Sequence, residues 1–327
     1  MANLASVVIL GDYEQALRRF SNWDRVDQGC HITTYHEPLL GEALYEAVKD
    51  ADVVVIVRDR TPFNEALIAR LPKLKLLMFT GKRNGTLDAA ALKSRNIPIA
   101  CTPGGPSKET TTELTWALIL GASKQLLRQN KLVSSASWRD ELSVLPILAG
   151  ERLGIIGLGS IGSSVARVGK AFGMELVTWS PNMTAERAAV EHAKSVSLEE
   201  LLKTSKVVSL HLVAGANTKG LIGAAELAMM RPDALLVNTS RSALINMQAL
   251  QDALAAGRPG QAAIDVFDTE PLPADDALRN TPNLLTTPHL GFVAEPVFAE
   301  FSKGIVDTLE AWLELRPLPH PFEPESI

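Results

Sequence analysis

The fold of this chain is decided by Gly154-Ile155-Ile156-Gly157-Leu158-Gly159-Ser160-Ile161-Gly162, which contains the spacing Gly-x-Gly-x-x-Gly. Gly157 allows a sharp turn after the apolar residues that precede it. Gly159 leaves the backbone N–H groups accessible because it carries no Cβ, and Gly162 permits a helix to pack closely on a strand. The stretch therefore predicts a strand, a tight turn and the first turn of a helix.

The residues on either side support this prediction. Val165, Val168 and Phe172 recur at helical spacing, and residues 174–179 form the next apolar run, as is typical of a strand. A glycine turn in this position is typical of a dinucleotide site, where the pyrophosphate lies on the helix N-terminus. The same spacing also occurs in ordinary strand-to-helix loops, so the flanking pattern carries the prediction. The residues predicted to hold the dinucleotide here are Gly157, Gly159, Ser160, Ile161 and Gly162.

Composition argues against several classes of protein. The chain has 327 residues, 46% hydrophobic and 21% charged, which is enough for two domains with their own cores. The formal net charge is −5 with acidic and basic residues interspersed, so no basic stripe predicts binding to nucleic acid. No run predicts a membrane span or a signal peptide. Cys30 and Cys101 are too few for a disulfide framework or a zinc cluster, so we expect a cytoplasmic protein with no metal site.

Two series of short apolar runs alternate with helical patterns, which predicts parallel sheets with crossover helices. The strands predicted in the first series are residues 7–10, 51–57, 74–79 and 97–101. A breaker cluster at 102–106 and a long helix at 107–125 follow. The second series has six predicted strands, which are the run before the glycine turn and residues 175–179, 206–213, 234–238, 262–267 and 284–287.

These patterns predict an α/β chain of two Rossmann-like or flavodoxin-like doubly wound parallel-sheet domains, with an active-site cleft between them. A final amphipathic helix at 297–315 is expected to pack back on the amino-terminal unit. The predicted substrate-binding domain is therefore 1–102 plus 292–327, and the predicted dinucleotide-binding Rossmann domain is 103–291.

Three polar residues stand at or just beyond strand ends in the second series, namely Arg241, Glu270 and His289. In an open α/β sheet that edge collects ligands. A guanidinium can hold a carboxylate with two hydrogen bonds, an imidazole exchanges a proton near neutral pH, and an adjacent carboxylate favours the imidazolium. Beside a hydride carrier, this set predicts an oxidoreductase that acts on a 2-oxo acid. Taken singly, Arg241 also fits a surface ion pair and Glu270 a solvated loop residue.

Several longer motifs occur in a characteristic order. They are Thr111-Thr112-Glu113-Leu114, residues 153–162, Leu235-Leu236-Val237-Asn238-Thr239-Ser240-Arg241, Asp265-Val266-Phe267, Glu270-Pro271-Leu272 and Thr287-Pro288-His289. Over nearly its whole length the chain thereby resembles the D-isomer-specific 2-hydroxyacid dehydrogenase family, which includes phosphoglycerate, glyoxylate/hydroxypyruvate and formate dehydrogenases.

The resemblance implies a role for each polar residue. Arg241 would bind the substrate carboxylate and carbonyl oxygen, His289 would donate the proton, and Glu270 would orient His289; these three form the predicted catalytic set. Asp265 would meet the nicotinamide carboxamide. The loop Lys82-Arg83-Asn84-Gly85 would hold the substrate carboxylate through its backbone, so the predicted substrate-binding set is Arg83, Asn84, Gly85 and Arg241. The implied substrate is a small 2-oxo or 2-hydroxy acid.

The cofactor is predicted to be NAD or NADP. Sites that prefer NAD usually place an acidic residue at the end of the second strand, but this chain has Ser180 there. No carboxylate would repel a 2′-phosphate and the nearest arginine is Arg187, so the choice stays open at this point. His211 is expected to be a structural histidine that backbone groups satisfy. The further residues predicted to contact the cofactor are Ser180, Asn182, Thr239, Ser240, Asp265 and Gly291.

A homodimer is also expected. Trp138 and the apolar run 142–148 lie in a region that often forms a dimer arm in the family, and symmetric dimers are the commonest soluble assembly. The same run also fits internal packing.

Two alternative functions stay open. One is a non-enzymatic NADH-sensing binding protein of the same fold, although the chain shows no long disordered tail and no basic patch. The other is a formate-dehydrogenase-like enzyme, which has no need of the proton relay that Glu270 and His289 would form.

Overall fold

The structure is a computed structural model that describes residues 4–323, with Glu141 described through its backbone alone. The chain divides into two compact units, Met1–Ser107 with Ala294–Ile327, and Lys108–Val293. The boundaries predicted from sequence, 102–103 and 291–292, lie a few residues earlier. They differ because the breaker cluster at 102–106 still belongs to the first unit, and the chain passes to the second only where a helix begins at Ser107.

The described part of the chain alternates strands and helices. The strands are β1 (Ala5–Leu10), β2 (Cys30–Tyr35), β3 (Val53–Ile56), β4 (Leu76–Phe79), β5 (Ile99–Cys101), β6 (Arg152–Ile156), β7 (Glu175–Trp179), β8 (Lys194–Ser195), β9 (Val207–Leu210), β10 (Leu235–Asn238), β11 (Gln261–Ile264) and β12 (Leu284–Thr286). The α-helices are α1 (Asp24–Gly29), α2 (Gly41–Val48), α3 (Glu65–Ala69), α4 (Ala89–Ser94), α5 (Ser107–Ser123), α6 (Leu126–Ser134), α7 (Ser160–Ala171), α8 (Ala185–Val190), α9 (Leu198–Thr204), α10 (Ala224–Met229), α11 (Met247–Ala255) and α12 (Glu295–Leu313). Short 3-10 turns lie at Leu17–Arg19, Glu141–Ser143, Ser242–Leu244 and Ala277–Asn280.

The first unit contains a five-stranded sheet with the order β2-β1-β3-β4-β5, in which every pair is parallel. This is the flavodoxin-like order. β3 and β4 are apolar and buried at every position, as expected of central strands in a parallel sheet. The sequence prediction missed β2, an edge strand that reads Cys-His-Ile-Thr-Thr-Tyr and buries only its first residue. A half-exposed strand needs fewer apolar residues, so its sequence signal is weak.

The carboxy-terminal helix α12 belongs to the first unit. Ser302 Oγ on this helix donates to Leu17 O (2.5 Å). A Cβ on Gly29 would come within 2.8 Å of Leu313 Cδ1, so α1 and the end of α12 touch closely. The last helix therefore packs against amino-terminal elements of its own unit.

The second unit contains a seven-stranded sheet with the order β12-β11-β10-β9-β6-β7-β8, again parallel throughout. Counted from β6, this is the Rossmann order 3-2-1-4-5-6 with one further strand. The prediction of six strands missed β8, which has two residues at the sheet edge. The order reverses between β6 and β9, and ligands bind beyond the strand ends at such a point. The predicted fold class, α/β with two doubly wound parallel sheets, is confirmed.

Three further observations concern residues 4–323. None of their helices combines the length and the apolar character needed to cross a membrane. No group of three or more His, Cys, Asp or Glu side chains among them could hold a metal ion. Cys30 is buried, Cys101 is partly buried, and both are free thiols.

Candidate active site

The glycine turn joins β6 to α7. Gly157 has a φ of +99°, a conformation that favours glycine, and its N–H donates to Trp179 O at the end of β7 (2.9 Å). A Cβ on Gly157 would come within 2.9 Å of the His211 backbone, and a Cβ on Gly162 within 2.1 Å of Gly157 O. Both positions therefore need glycine for the packing of the protein itself.

Gly159 differs from those two glycines. It is the N-cap of α7 and makes no side-chain cap, and a Cβ there would meet no protein atom within 4 Å. α7 has 12 residues and none in its first turn is acidic, so the N–H groups of Ser160, Ile161 and Gly162 present positive potential. Protein packing does not require glycine at 159, whereas a pyrophosphate close to the backbone does. The residues present thus fit the pyrophosphate of a dinucleotide.

Ser180 and Asn182 lie in the loop that follows β7. Ser180 is half-buried, Asn182 is exposed, and the Met183 N–H donates to Ser180 O (3.1 Å). Arg187 on α8 reaches back to this loop, where its Nη1 donates to Asn182 O (2.6 Å). The two residues predicted near the cofactor ribose therefore share their loop with a guanidinium.

Asn238, the last residue of β10, organises the loop that carries three predicted site residues. Its buried side chain accepts from the Ser240 N–H (3.0 Å) and donates to Arg241 O (2.9 Å). Thr239 Oγ1 lies 2.8 Å from Thr115 Oγ1, and Ser240 Oγ donates to a backbone carbonyl after β9 (2.6 Å). The hydroxyls of Thr239 and Ser240 thus brace the loop, and Arg241 stands at its exposed end with Nη1 donating to Ser240 O (2.8 Å).

Asp265 is fully buried directly after β11 and holds the loop that carries His289. Its Oδ1 accepts from Thr287 Oγ1 (2.6 Å) and the Leu290 N–H (2.8 Å), and its Oδ2 accepts from the Gly291 N–H (2.9 Å). Burial raises the pKa of Asp265, while these hydrogen bonds and the charge of His289 oppose the rise. The observed contacts of Asp265 and Gly291 therefore shape the His289 loop.

The imidazole of His289 is hydrogen-bonded to the carboxylate of Glu270, with Nδ1 2.6 Å from Oε2. The other oxygen of Glu270 accepts from the Phe267 N–H (2.9 Å). His289 has a φ of +54°, and its ring meets Phe292 edge-on with the ring centroids 5.8 Å apart. The carboxylate and the aromatic ring together fix the orientation of the imidazole.

The charge of Glu270 depends on the groups around it. Burial would raise its pKa, but the hydrogen bond and charge of His289, the Phe267 N–H and the charge of Arg241 outweigh burial and lower the pKa. An ionised carboxylate can only accept, so the shared proton belongs to His289 Nδ1. Nε2 is then the ring atom that can exchange a proton with a ligand. Arg241, Glu270 and His289 lie in the loops that follow β10, β11 and β12 of the second unit.

His211 lies at the point where the strand order reverses. Burial lowers its pKa to about 4, and its Nε2 lies 2.8 Å from Ser209 Oγ. The expectation that backbone groups satisfy the ring is wrong, because the partner is a side-chain hydroxyl. Side chains two residues apart on a strand share a face, which places Ser209 beside the ring. With this pKa the imidazole is neutral near pH 7, and its contact is with a side chain of the strand that precedes it.

The loop predicted to bind the substrate carboxylate follows β4 in the first unit. Asn84 Nδ2 donates to Arg58 O (2.7 Å), and the Gly85 N–H donates to Asp59 Oδ1 (2.8 Å). Asn84 and Gly85 therefore tie this loop to the one after β3, and the backbone N–H of Gly85 is engaged inside the unit. The side chain of Arg83 is exposed.

Comparison with known proteins explains this combination of features. A family model described as "D-isomer specific 2-hydroxyacid dehydrogenase, NAD binding domain" matches residues 116–291. This chain belongs to the D-isomer specific 2-hydroxyacid dehydrogenase family. A glyoxylate reductase of Aeropyrum pernix is 34% identical over 323 residues, which cover 96% of this chain and 94% of that protein. Membership confirms the predicted enzyme class, a nicotinamide-dependent 2-hydroxyacid dehydrogenase.

Two further relatives show how far the similarity of this dehydrogenase extends. The crystal structure of a phosphoglycerate oxidoreductase from Vibrio cholerae has a TM-score of 0.86 and 33% identity, and the match covers 94% of this chain and 100% of that one. A D-3-phosphoglycerate dehydrogenase of Methanocaldococcus jannaschii is 34% identical over 258 residues, or 79% of this chain. The match spans only 49% of that relative, so the two proteins differ in length.

Sequence reasoning assigned no role to three residues that hold the loops of Arg241 and His289. They are Asn238 and Thr287, which were quoted only within motifs, and Thr115. Asn238 carried a usable signal, because a polar residue that ends a buried apolar strand needs hydrogen-bond partners. The two threonines had no comparable signal, since their partners lie far away in the sequence.

Proposed function

We propose that this dehydrogenase catalyses the reversible reduction of a small 2-oxo acid to a D-2-hydroxy acid. His289 is the proton donor, Glu270 positions it, and Arg241 binds the substrate carboxylate. The observation that carries the proposal is the 2.6 Å contact between His289 Nδ1 and Glu270 Oε2. All three residues belong to the same unit as the glycine turn.

His289 acts as a general acid in this proposal. Ionised Glu270 holds the Nδ1–H, so the imidazolium donates its Nε2 proton to the carbonyl oxygen as C2 is reduced. When bound, the nicotinamide supplies the hydride for the new C–H bond. The substrate gains two electrons and one proton at oxygen, and neutral His289 recovers its proton from solvent. In the reverse direction the neutral ring accepts the hydroxyl proton.

Arg241 supplies fixed positive charge. Its planar fork of donors matches a carboxylate, and Asn238 holds its backbone through a 2.9 Å hydrogen bond. The same charge meets the negative charge that develops on the carbonyl oxygen during reduction. Arg241 and His289 therefore both stabilise the transition state more than the ground state.

The substrate-binding role of Arg83, Asn84 and Gly85 is likewise proposed from the family resemblance. Hydrogen bonds from Asn84 and Gly85 to the neighbouring loop support a defined backbone there. We assign the cofactor as NAD or NADP, held by the glycine turn and the loops after β7, β10 and β11. The cytoplasmic location stays a prediction.

An absorbance assay of reduced-cofactor oxidation tests the proposal. NADH and NADPH are each offered with glyoxylate, hydroxypyruvate, pyruvate, phenylpyruvate and 3-phosphohydroxypyruvate. We expect steady turnover of at least one 2-oxo acid, and loss of that turnover in H289N. A matched control is H320N, in the first unit, which should turn over as the wild type does.

The alternative functions give different results in the same set of experiments. A protein that binds NADH but turns over none of the acids would favour the NADH-sensing alternative. Oxidation of formate with NAD, in the absence of 2-oxo acid reduction, would favour the formate-dehydrogenase-like alternative. Either result would contradict the proposed reaction.

We also propose that the segment from Trp138 to Ile147 packs against a second copy of the chain. Trp138 is 73% exposed, Val144 91% and Ile147 70%, whereas Leu148 is 5% exposed and packs internally. Clustered exposed apolar residues of this kind are typical of an association surface. We expect light scattering to give twice the chain mass of 35.2 kDa.

The dimer proposal is tested with the double variant V144E/I147E. This variant should give the mass of one chain. The control L315E changes Leu315, which lies outside this segment and is 92% exposed, and should stay dimeric. A single-chain mass for the wild type would contradict the proposal.

A further inference from the structure

The loop after β7 determines whether a Rossmann domain prefers NAD or NADP, because the adenosine ribose lies beside that loop. The proposed function leaves this choice open. Resting on that function, we propose that Arg187 binds the ribose 2′-phosphate, so that the site binds NADPH more tightly than NADH. The argument depends on the charges in and around this loop.

The first step is that the loop itself contains no repulsive charge. Ser180 directly follows β7, where NAD-preferring sites carry a carboxylate that accepts from the ribose hydroxyls. Residues 180–184 read Ser-Pro-Asn-Met-Thr and include no acid. A serine hydroxyl can donate to a phosphate oxygen as readily as it bonds a ribose hydroxyl. The loop is therefore compatible with a 2′-phosphate.

The second step is that a cation is held at this loop. Arg187 lies in the first turns of α8, where its N–H is capped by Thr184 Oγ1 (3.3 Å). Its Nη1 donates to Asn182 O (2.6 Å), so the side chain folds back over the loop. The acceptor is a neutral carbonyl, and the guanidinium keeps its full charge. A phosphate dianion would be a stronger partner for such a donor fork.

The third step is that Arg187 forms no ion pair with a residue that the structure describes. Glu186 is adjacent in sequence and ionised, because hydrogen bonds with its own backbone N–H and with Thr184 lower its pKa, but these bonds hold its carboxylate at the start of α8. Arg167 on α7 is bound to Glu191 by two hydrogen bonds (2.9 and 2.7 Å) and is neutralised there. Arg187 is therefore the cation that the loop offers to a phosphate.

The test is equilibrium binding without turnover. Isothermal titration measures Kd for NADPH, NADH, 2′,5′-ADP and 5′-AMP with the wild type, R187Q, S180D and R316Q. Arg316 is an exposed, ion-paired arginine of the first unit. R316Q therefore serves as the control, because it removes one positive charge as R187Q does. Thermal unfolding of each variant checks that it is folded.

We expect the wild type to bind NADPH and 2′,5′-ADP more tightly than NADH and 5′-AMP. R187Q should weaken the binding of NADPH and 2′,5′-ADP by about tenfold and the binding of NADH by less than about twofold. The tenfold figure is the low end for a charged hydrogen bond, because Arg187 is exposed. S180D should weaken the binding of NADPH and strengthen the binding of NADH. R316Q should change none of the four constants.

Two results would overturn the assignment of Arg187. One is tighter binding of NADH than NADPH by the wild type, and the other is an equal loss of both cofactors in R187Q. Failure of all four nucleotides to bind would overturn the proposed function together with this inference. Binding of NADH with no preference for the 2′-phosphate would overturn this inference alone.

Discussion

Replacing Glu270 with glutamine removes a charge from the His289 pair while keeping its size. In the wild type, Glu270 Oε2 lies 2.6 Å from His289 Nδ1 and Oε1 accepts from the Phe267 N–H. A hydrogen bond to a charged group contributes about 1.5–3 kcal/mol, and the lower end applies because the two side chains are 26% and 34% exposed. About 1.5 kcal/mol corresponds to roughly a tenfold change in a rate.

The assay is kcat/KM for 2-oxo acid reduction by E270Q. Without the carboxylate, the proton-donating ring loses the charged acceptor of its Nδ1–H, so kcat/KM should fall by about tenfold. The Kd of the cofactor should stay within about twofold, since Glu270 is not part of the glycine turn. E314Q, at an exposed glutamate of the first unit, serves as the control. A kcat/KM of E270Q within about twofold of the wild-type value would refute this reasoning.

The same substitution has a consequence for stability against pH. The pKa of Glu270 is lowered from 4.5, so its contribution to the free energy of unfolding is fully present above pH 4.5 and is lost as the pH falls through the lower folded value. The stability difference between wild type and E270Q, measured by urea unfolding, should shrink as the pH falls below about 4.5. A difference that grows toward low pH would contradict the sign of this linkage.

Two further predictions concern the glycine turn and the loop of His289. G159A should weaken cofactor binding at least about tenfold and leave urea unfolding unchanged, because the new Cβ meets no protein atom. G162A should also lower the free energy of unfolding by about 1–3 kcal/mol, because its Cβ would lie 2.1 Å from Gly157 O. Equal stability losses in the two variants would contradict this difference. D265N should lower the free energy of unfolding by about 1–3 kcal/mol and lower kcat. The new amide would place an N–H donor next to a backbone N–H donor such as that of Gly291, and the two cannot hydrogen-bond. Wild-type stability and kcat in D265N would contradict a scaffold role.

The central strands of both sheets were predictable from sequence, as was one edge strand of each sheet, β5 and β12, whereas the other edge strands, β2 and β8, were not. β3, β4 and β10 are buried at every position, so each forms an apolar run that stands out between polar loops. β2 has a single buried residue and β8 has two residues in all, and neither produces such a run. Burial on both faces therefore explains why the central strands were evident in the sequence.

The candidate site shows a similar division. The glycine turn was predictable because Gly157 and Gly162 lie where the local backbone leaves no room for a side chain, and their spacing is visible in the sequence. The location of Glu270 and His289 beyond strand ends placed them at one sheet edge, but the hydrogen bond between them depends on the pairing of β11 with β12. The three hydrogen bonds of Asp265 within the His289 loop were not predictable at all, because they depend on how that loop folds.

The central claim is that His289 delivers the proton during reduction. Its most direct test is the single-turnover rate of NADH or NADPH oxidation by H289N at saturating 2-oxo acid, followed by stopped-flow absorbance beside a titration of cofactor binding. The rate should fall by about 10² to 10⁴ while the Kd of the cofactor stays within about twofold. A rate near that of the wild type, or a loss of cofactor affinity as large as the loss of rate, would contradict the claim.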